Sequence, residues 1–139
     1  MTAVHTLIYL SLPDVVALHA LVMERTGFTP APLRDEGLLE SAMMRPRMAA
    51  HDQRADLIRQ VAVLAVGISQ AQAFMDGNQR TAFAACDVLL RLNGQAFRGD
   101  PLAMAQQLEA VAAREGDLPS AERQFEAWLR EHTGPRGTR

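Results

Sequence analysis

The nine residues from Gln72 to Arg80, Gln-Ala-Phe-Met-Asp-Gly-Asn-Gln-Arg, bring together a carboxylate, a glycine, three side-chain amides and a guanidinium. An apolar helical pattern precedes them and another follows, so these groups fall on a turn and on the first turn of a helix. The first N–H groups of a helix have no internal acceptor, and the aligned peptide dipoles add about half a positive charge there. Gly77 lets the backbone come close to a ligand. Asn78 and Gln79 add amide donors, and Arg80 adds a planar cation that can grip two phosphate oxygens at once. That combination is an anion cradle. Asp76 beside it is placed to hold Mg²⁺ bridging the same phosphates. The same residues also read as a plain turn between core helices, with Arg80 as a cap or salt-bridge partner.

The elements that must position this turn are mostly helical. Thr6 to Leu10 is β-branched and aromatic enough for a short strand. Ser11 caps a helix with Pro13 in its first turn and Asp14 at the positive end of the dipole. Val15, Leu18, Leu21 and Val22 recur at helical spacing, and Gly27 stops that run. Thr29 to Leu33 reads as loop. A short helix starts at Arg34 or Asp35 and runs through Met44, ended by Arg45-Pro46 because the residue before proline avoids the helical region. Pro46 to Arg54 is expected to be a small flap, a loop or a short hairpin. Asp56 to about Gln72 is apolar on most sides, as a core helix is. Asn78 or Gln79 to Leu92 is the next helix, stopped by Asn93-Gly94. Asp100-Pro101 opens a helix to Arg114, which Gly116 ends. Ser120 caps a last helix with Phe125, Trp128 and Leu129 facing inward. The reading is one domain over residues 1–139 with its core at about 7–130, a loose tail at 134–139, and an all-α, orthogonal helical bundle carrying a short N-terminal strand and a small flap.

Composition narrows the function classes. The chain has 139 residues, 48% hydrophobic and 22% charged, which suits a soluble globule rather than a disordered chain. A net charge of −2 gives no global electrostatic case for a nucleic-acid partner. Cys86 stands alone, so it makes no internal disulfide; core packing in a reducing cytoplasm fits it. The N-terminal Met-Thr-Ala-Val-His lacks the charged region of a signal peptide. Val61 to Ala73 is too short and too polar to span a bilayer.

Phe74-Met75-Asp76-Gly77-Asn78-Gln79-Arg80 resembles the signature of the Fic/Doc superfamily, His-x-Phe-x-[Asp/Glu]-[Gly/Ala]-Asn-[Gly/Lys]-Arg. The likeness is to the death-on-curing branch. It extends to Ile8-Tyr9-Leu10-Ser11, to Arg34 through Ala42 with Arg45-Pro46 after it, and to Leu90-Arg91-Leu92-Asn93-Gly94, covering about residues 7–130. The resemblance implies a toxin of a toxin–antitoxin pair. Such an enzyme transfers a phosphoryl or nucleotidyl group from ATP to a hydroxyl of a protein such as elongation factor Tu. It also implies that Phe74 anchors the loop, that Asp76 binds Mg²⁺, and that Gly77, Asn78, Gln79 and Arg80 meet the phosphates.

Two positions depart from the signature. Gln72 stands where the family's histidine takes the proton from the attacking hydroxyl. A neutral amide accepts no proton, and loss of a positioned base costs ~10²–10⁴-fold in rate. Gln79 stands where the death-on-curing branch has lysine. His51, in the expected flap, is the candidate substitute base; His5, His19 and His132 lie elsewhere. Gln72 then marks a pseudoenzyme that still binds nucleotide or partner, a detoxifying change, or a divergent enzyme. The inhibitory signature of many Fic proteins, Ser/Thr-x-x-x-Glu-[Gly/Asn], has no copy here: Pro32 and Val111 stand four residues before Glu36 and Glu115. Restraint is therefore expected in trans, from a small antitoxin whose tail folds into a groove. The flap is expected to dock the target's main chain. A non-catalytic binding module is the competing reading, and a nucleic-acid-binding helical domain a distant third.

Overall fold

A computed structural model describes residues 7–30 and 32–137. Within them the chain forms α1 (Leu12–Arg25), α2 (Glu36–Gln53), α3 (Leu57–Ala71), α4 (Asn78–Leu92), β1 (Gln95–Phe97), α5 (Pro101–Ala112), α6 (Leu118–Glu131) and β2 (Thr133–Pro135). The architecture is mainly all-α, as the periodicity predicts. Helix α3 is its axle. Every residue from Gln60 to Ser69 is buried, and α2, α4, α5 and α6 all pack against it. A helix buried all round needs no polar face, which is why Val61 to Ile68 reads as almost continuously apolar. Cys86 is fully buried in α4, and burial pushes its thiol well above the ordinary range, so it packs as a small hydrophobe.

Helix starts follow their capping residues. Ser11 and Asp14 form a reciprocal capping box at α1. The Asp35 and Asp56 side chains accept from the backbone N–H groups of Leu38 and Arg59 at 3.1 and 2.9 Å, and Asp100 accepts from Leu102 at α5. The last helix begins earlier than Ser120. Asp117 is its cap, accepting from Ser120 N–H at 2.7 Å, with Pro119 in the first turn. Helix α5 ends at Ala112 rather than Arg114, whose guanidinium donates to Gln70 Oε1 and to the Val111 carbonyl.

Three expectations fail. The described part of the first, Leu7 to Leu10, forms no strand (Thr6 lies outside the described residues). The Asn93 side chain takes the place of a pairing strand, accepting from Ile8 N–H at 2.8 Å and donating to Ile8 C=O at 2.9 Å. Nor is there a flap at Pro46 to Arg54. Helix α2 continues through Pro46 to Gln53 and ends where Arg54 turns left-handed, φ 53°. A proline inside a helix costs about 3 kcal/mol. Burial of Ala42, Met43, Pro46 and Ala49 on one face of α2 offsets that cost. Gly134 and Pro135, read as loose tail, instead pair antiparallel with Ala96 and Gln95, and Arg136 N–H donates to Gly94 C=O at 2.9 Å.

An ionic chain joins the ends of these helices. The buried Glu122 carboxylate on α6 lies 2.8 Å from Arg45 and 3.5 Å from Arg59. Arg59 reaches Glu126 at 3.1 Å, and Arg130 bridges Glu126 and Asp56 at 3.0 and 2.8 Å. The hydrogen bond from Arg130 holds the Asp56 carboxyl below the usual carboxylate range. A carboxyl depressed in the folded state stabilises above its unfolded pKa, and that stabilisation is lost as pH falls through the folded value. Replacing Asp56 by Ala should therefore destabilise by about 1–2 kcal/mol at neutral pH, mostly through the lost cap. The gap in melting temperature between wild type and D56A should close as the pH is taken below the ordinary carboxylate range.

Candidate functional site

Gln72 ends α3 in the left-handed region, φ 56° and ψ 38°, a conformation that costs most L residues about 1–2 kcal/mol. Its side chain turns back on the helix it terminates. Nε2 donates to the Ser69 carbonyl at 2.9 Å, and Oε1 accepts from Asn78 Nδ2 at 3.4 Å. The chain then runs beside Pro32 to Asp35. Arg34 and Asp35 N–H both donate to Ala73 C=O, at 2.7 and 3.1 Å. Leu33 and Phe74 form an isolated antiparallel bridge, and the Arg34 guanidinium donates to Gln72 C=O. Phe74 is 2% exposed and its ring stacks on His19, centroids 3.8 Å apart and planes 8° apart.

Asn78 locks the turn from inside. Its Oδ1 accepts from Phe74 N–H at 3.1 Å and its Nδ2 donates to Phe74 C=O at 3.0 Å. That side chain, expected to reach a phosphate, is committed to the loop. Gly77 caps α4 with φ 80°. A methyl group there would lie 2.5 Å from Met23 Sδ, so both backbone angle and space call for glycine. Asp76 Oδ1 accepts from Gly77 N–H at 2.7 Å. The N–H groups of Asn78, Gln79 and Arg80 find no acceptor among the described residues; the first helical bond to Gly77 C=O is made by Thr81. Arg80 pairs with no carboxylate among the described residues. Its guanidinium lies over the Phe28 ring, 4.9 Å from the centroid, and Nη1 is 3.9 Å from Met23 Sδ.

The turn and the start of α4 border one cavity of about 500 Å³. Gln72, Asp76, Gly77, Asn78, Gln79 and Arg80, the six site residues read from the sequence, all line it. Met75, Phe83 and, from α5, Ala105 and Glu109 complete the wall. The wall holds two carboxylates, Asp76 and Glu109, and no imidazole. His51 does not stand in as a base: it lies in the last turn of α2, 89% exposed and bonded to Asp52. His132 stacks on Trp128 near β2, and His5 lies outside the described residues. The donor set fits Mg²⁺. The ion takes one or two carboxylates and completes its shell with phosphate oxygens and water. Asp76 keeps Oδ2 free of protein partners among the described residues, and Glu109 is the other carboxylate of the wall; no group of three His, Cys, Asp or Glu that could hold a metal exists among those residues, the cavity included.

Sequence reading missed His19, Met23, Phe28 and Glu109. The first two were readable: Val15, His19 and Met23 recur every fourth residue and are the buried stripe of α1. Glu109 had no local signal, because α5 reaches the cavity only through tertiary packing.

The sequence matches the Fic/DOC family over residues 9–90. The chain belongs to the Fic/DOC family. Over 92 residues it is also 36% identical to Toxin Doc of Mycolicibacterium smegmatis, covering 63% of this chain and 71% of that protein. The Fic/DOC match takes in α1, the clamp at Pro32 to Asp35 and the whole cavity loop; the α5 side of the cavity lies beyond it. Among the described residues no helix is long and apolar enough to cross a membrane.

Gly77→Ala tests the loop geometry directly. Left-handed strain alone costs about 1–2 kcal/mol, and Met23 must also shift. A lower melting temperature by scanning fluorimetry is expected; an unchanged one would mean that the loop is not held in this conformation.

Proposed function

We propose that this Fic/DOC chain is a death-on-curing-type toxin whose cavity binds ATP with Mg²⁺ and transfers the terminal phosphoryl group to a hydroxyl of a protein, elongation factor Tu being the candidate. The observation that carries this reading is the open start of α4: three backbone N–H groups without an acceptor, and a guanidinium without a carboxylate, among the described residues, around one open cavity. Phosphoryl transfer asks the protein mainly for positioning and charge stabilisation. In the transfer, the hydroxyl oxygen bonds the terminal phosphorus, the bridging bond to ADP breaks, and the hydroxyl proton passes to an oxygen of the transferred phosphoryl group, since the wall offers no imidazole to take it. Asn78, Gln79 and Arg80 N–H groups orient the phosphate oxygens, and the Arg80 side chain balances the charge that moves onto the leaving group. Mg²⁺, held by Asp76, would neutralise charge between adjacent phosphates. Met75, 61% exposed, gives the cavity wall an apolar edge suited to a protein partner. The similarity to Toxin Doc supports an antitoxin partner acting in trans.

The proton is the weak point. Gln72, placed by the resemblance at the histidine position, has both amide atoms engaged inside the loop and accepts no proton. That observation favours a second reading, a nucleotide-binding module with no transfer activity. Left-handed backbone at position 72 suits histidine better than most residues. Gln72→His should therefore restore transfer, by ~10²–10⁴-fold.

Two measurements test the reading. Wild type and Q72H are incubated with ATP, Mg²⁺ and elongation factor Tu, and the target is weighed intact. A gain of one phosphoryl group, far faster with Q72H, is the expected result; ATP binding without transfer by either protein favours the binding module, and no ATP binding at all overturns both. Arg80→Ala should weaken ATP binding by roughly tenfold or more in calorimetry, a loss on the scale of a charged hydrogen bond.

A further inference from the structure

Two residues of helix α1, His19 and Met23, touch the cavity loop from behind, Phe28 just past its end meets Arg80, and none of the three takes part in the proposed transfer. His19 is 2% exposed, and a buried imidazole needs a partner. The partner it takes is the main-chain carbonyl of Asp76, 2.8 Å from Nε2. A carbonyl only accepts, so Nε2 carries the proton. The consequence reaches the cavity through the peptide plane. All peptide bonds among the described residues are trans, so the Asp76 carbonyl and the Gly77 N–H point in opposite directions. Drawing the carbonyl inward to His19 turns the Gly77 N–H outward, toward the Asp76 carboxylate that it meets at 2.7 Å. One turn along α1, Met23 fills the space where a side chain at position 77 would lie and touches Arg80 Nη1 at 3.9 Å. Past the end of α1, the Phe28 ring supports the Arg80 guanidinium.

We propose that His19 is a positioning residue for the phosphate-binding loop: its single hydrogen bond to Asp76 sets the Asp76–Gly77 peptide plane and, through the Gly77 N–H, the place of the Asp76 carboxylate, with Met23 and Phe28 holding Gly77 and Arg80 in the same frame. The ring stack on Phe74 is secondary to that bond. His19 touches neither nucleotide nor acceptor in this arrangement. The inference rests on the nucleotide-binding reading of the cavity.

Two variants separate the bond from the stack. His19→Phe keeps an aromatic ring over Phe74 and removes the donor. His19→Gln restores an N–H donor at the same reach and removes the ring. Binding of ATP with Mg²⁺ by calorimetry should fall roughly tenfold in H19F, the upper end of what one hydrogen bond contributes, and stay within about threefold of wild type in H19Q. The amide resonances of Gly77 and Asn78 in the nucleotide-free protein should move in H19F and return toward wild type in H19Q. Wild-type affinity in H19F, or a loss in H19Q as large as in H19F, overturns the role given to the bond. Should H19F not fold, H19Q decides alone: affinity retained supports the proposal, affinity lost overturns it. A wild type that binds no ATP overturns the nucleotide reading instead; the amide resonances then still report whether His19 sets the loop.

Discussion

Everything at the cavity depends on how the polypeptide between α3 and α4 accounts for its polar groups. The buried main-chain groups of a turn between two core helices must nearly all be satisfied or stability is lost. This turn satisfies its own from within and behind. The Ala73 carbonyl is taken by Arg34 and Asp35 N–H, both main-chain groups of Phe74 by the Asn78 amide, and the Asp76 carbonyl by His19. What it leaves open is the start of α4, where Asn78, Gln79 and Arg80 N–H groups find no acceptor among the described residues. The free donors are therefore not a defect of packing. They remain because the first N–H groups of a helix have no intrahelical acceptor and Gly77 offers no side-chain cap, and a row of unpaired donors is what a phosphate needs.

The rest of the fold holds that turn in place. Helix α3, buried on every side, fixes the left-handed exit at Gln72. Helix α2 holds its course through Pro46 because its inner face packs on that axle, and the ionic chain from Arg45 through Glu122 to Asp56 fastens its far half to α6 and to the start of α3. Breaking such a partly buried chain at one residue would leave its partner charges uncompensated.

Much of the site was legible in one sequence because its signals are local. Gly77 at positive φ, the arginine in a first helical turn and the acid beside it are features of neighbouring residues. The helix starts at Ser11, Asp35, Asp56 and Asp100 were legible for the same reason, each being a cap next to its helix. What escaped was set by distant partners. Pro46 looks like a helix stop until α3 is there to bury it. The three-residue strand Thr133–Pro135 has no pattern of its own and exists because Gln95–Phe97 lies beside it. Asn78 was assigned to the phosphate from its chemistry, whereas its side chain faces the Phe74 backbone; only the three-dimensional turn decides between those uses. Glu109 enters the cavity from a helix that no local pattern links to the loop.

The most direct measurement is a crystal structure of the protein with a non-hydrolysable ATP analogue and Mg²⁺. Phosphate oxygens should lie about 3 Å from the backbone nitrogens of Asn78, Gln79 and Arg80, with the Asp76 carboxylate at the metal and the Asp76 carbonyl still held by His19. A nucleotide bound elsewhere, or phosphates that leave those three nitrogens unpaired, would contradict it.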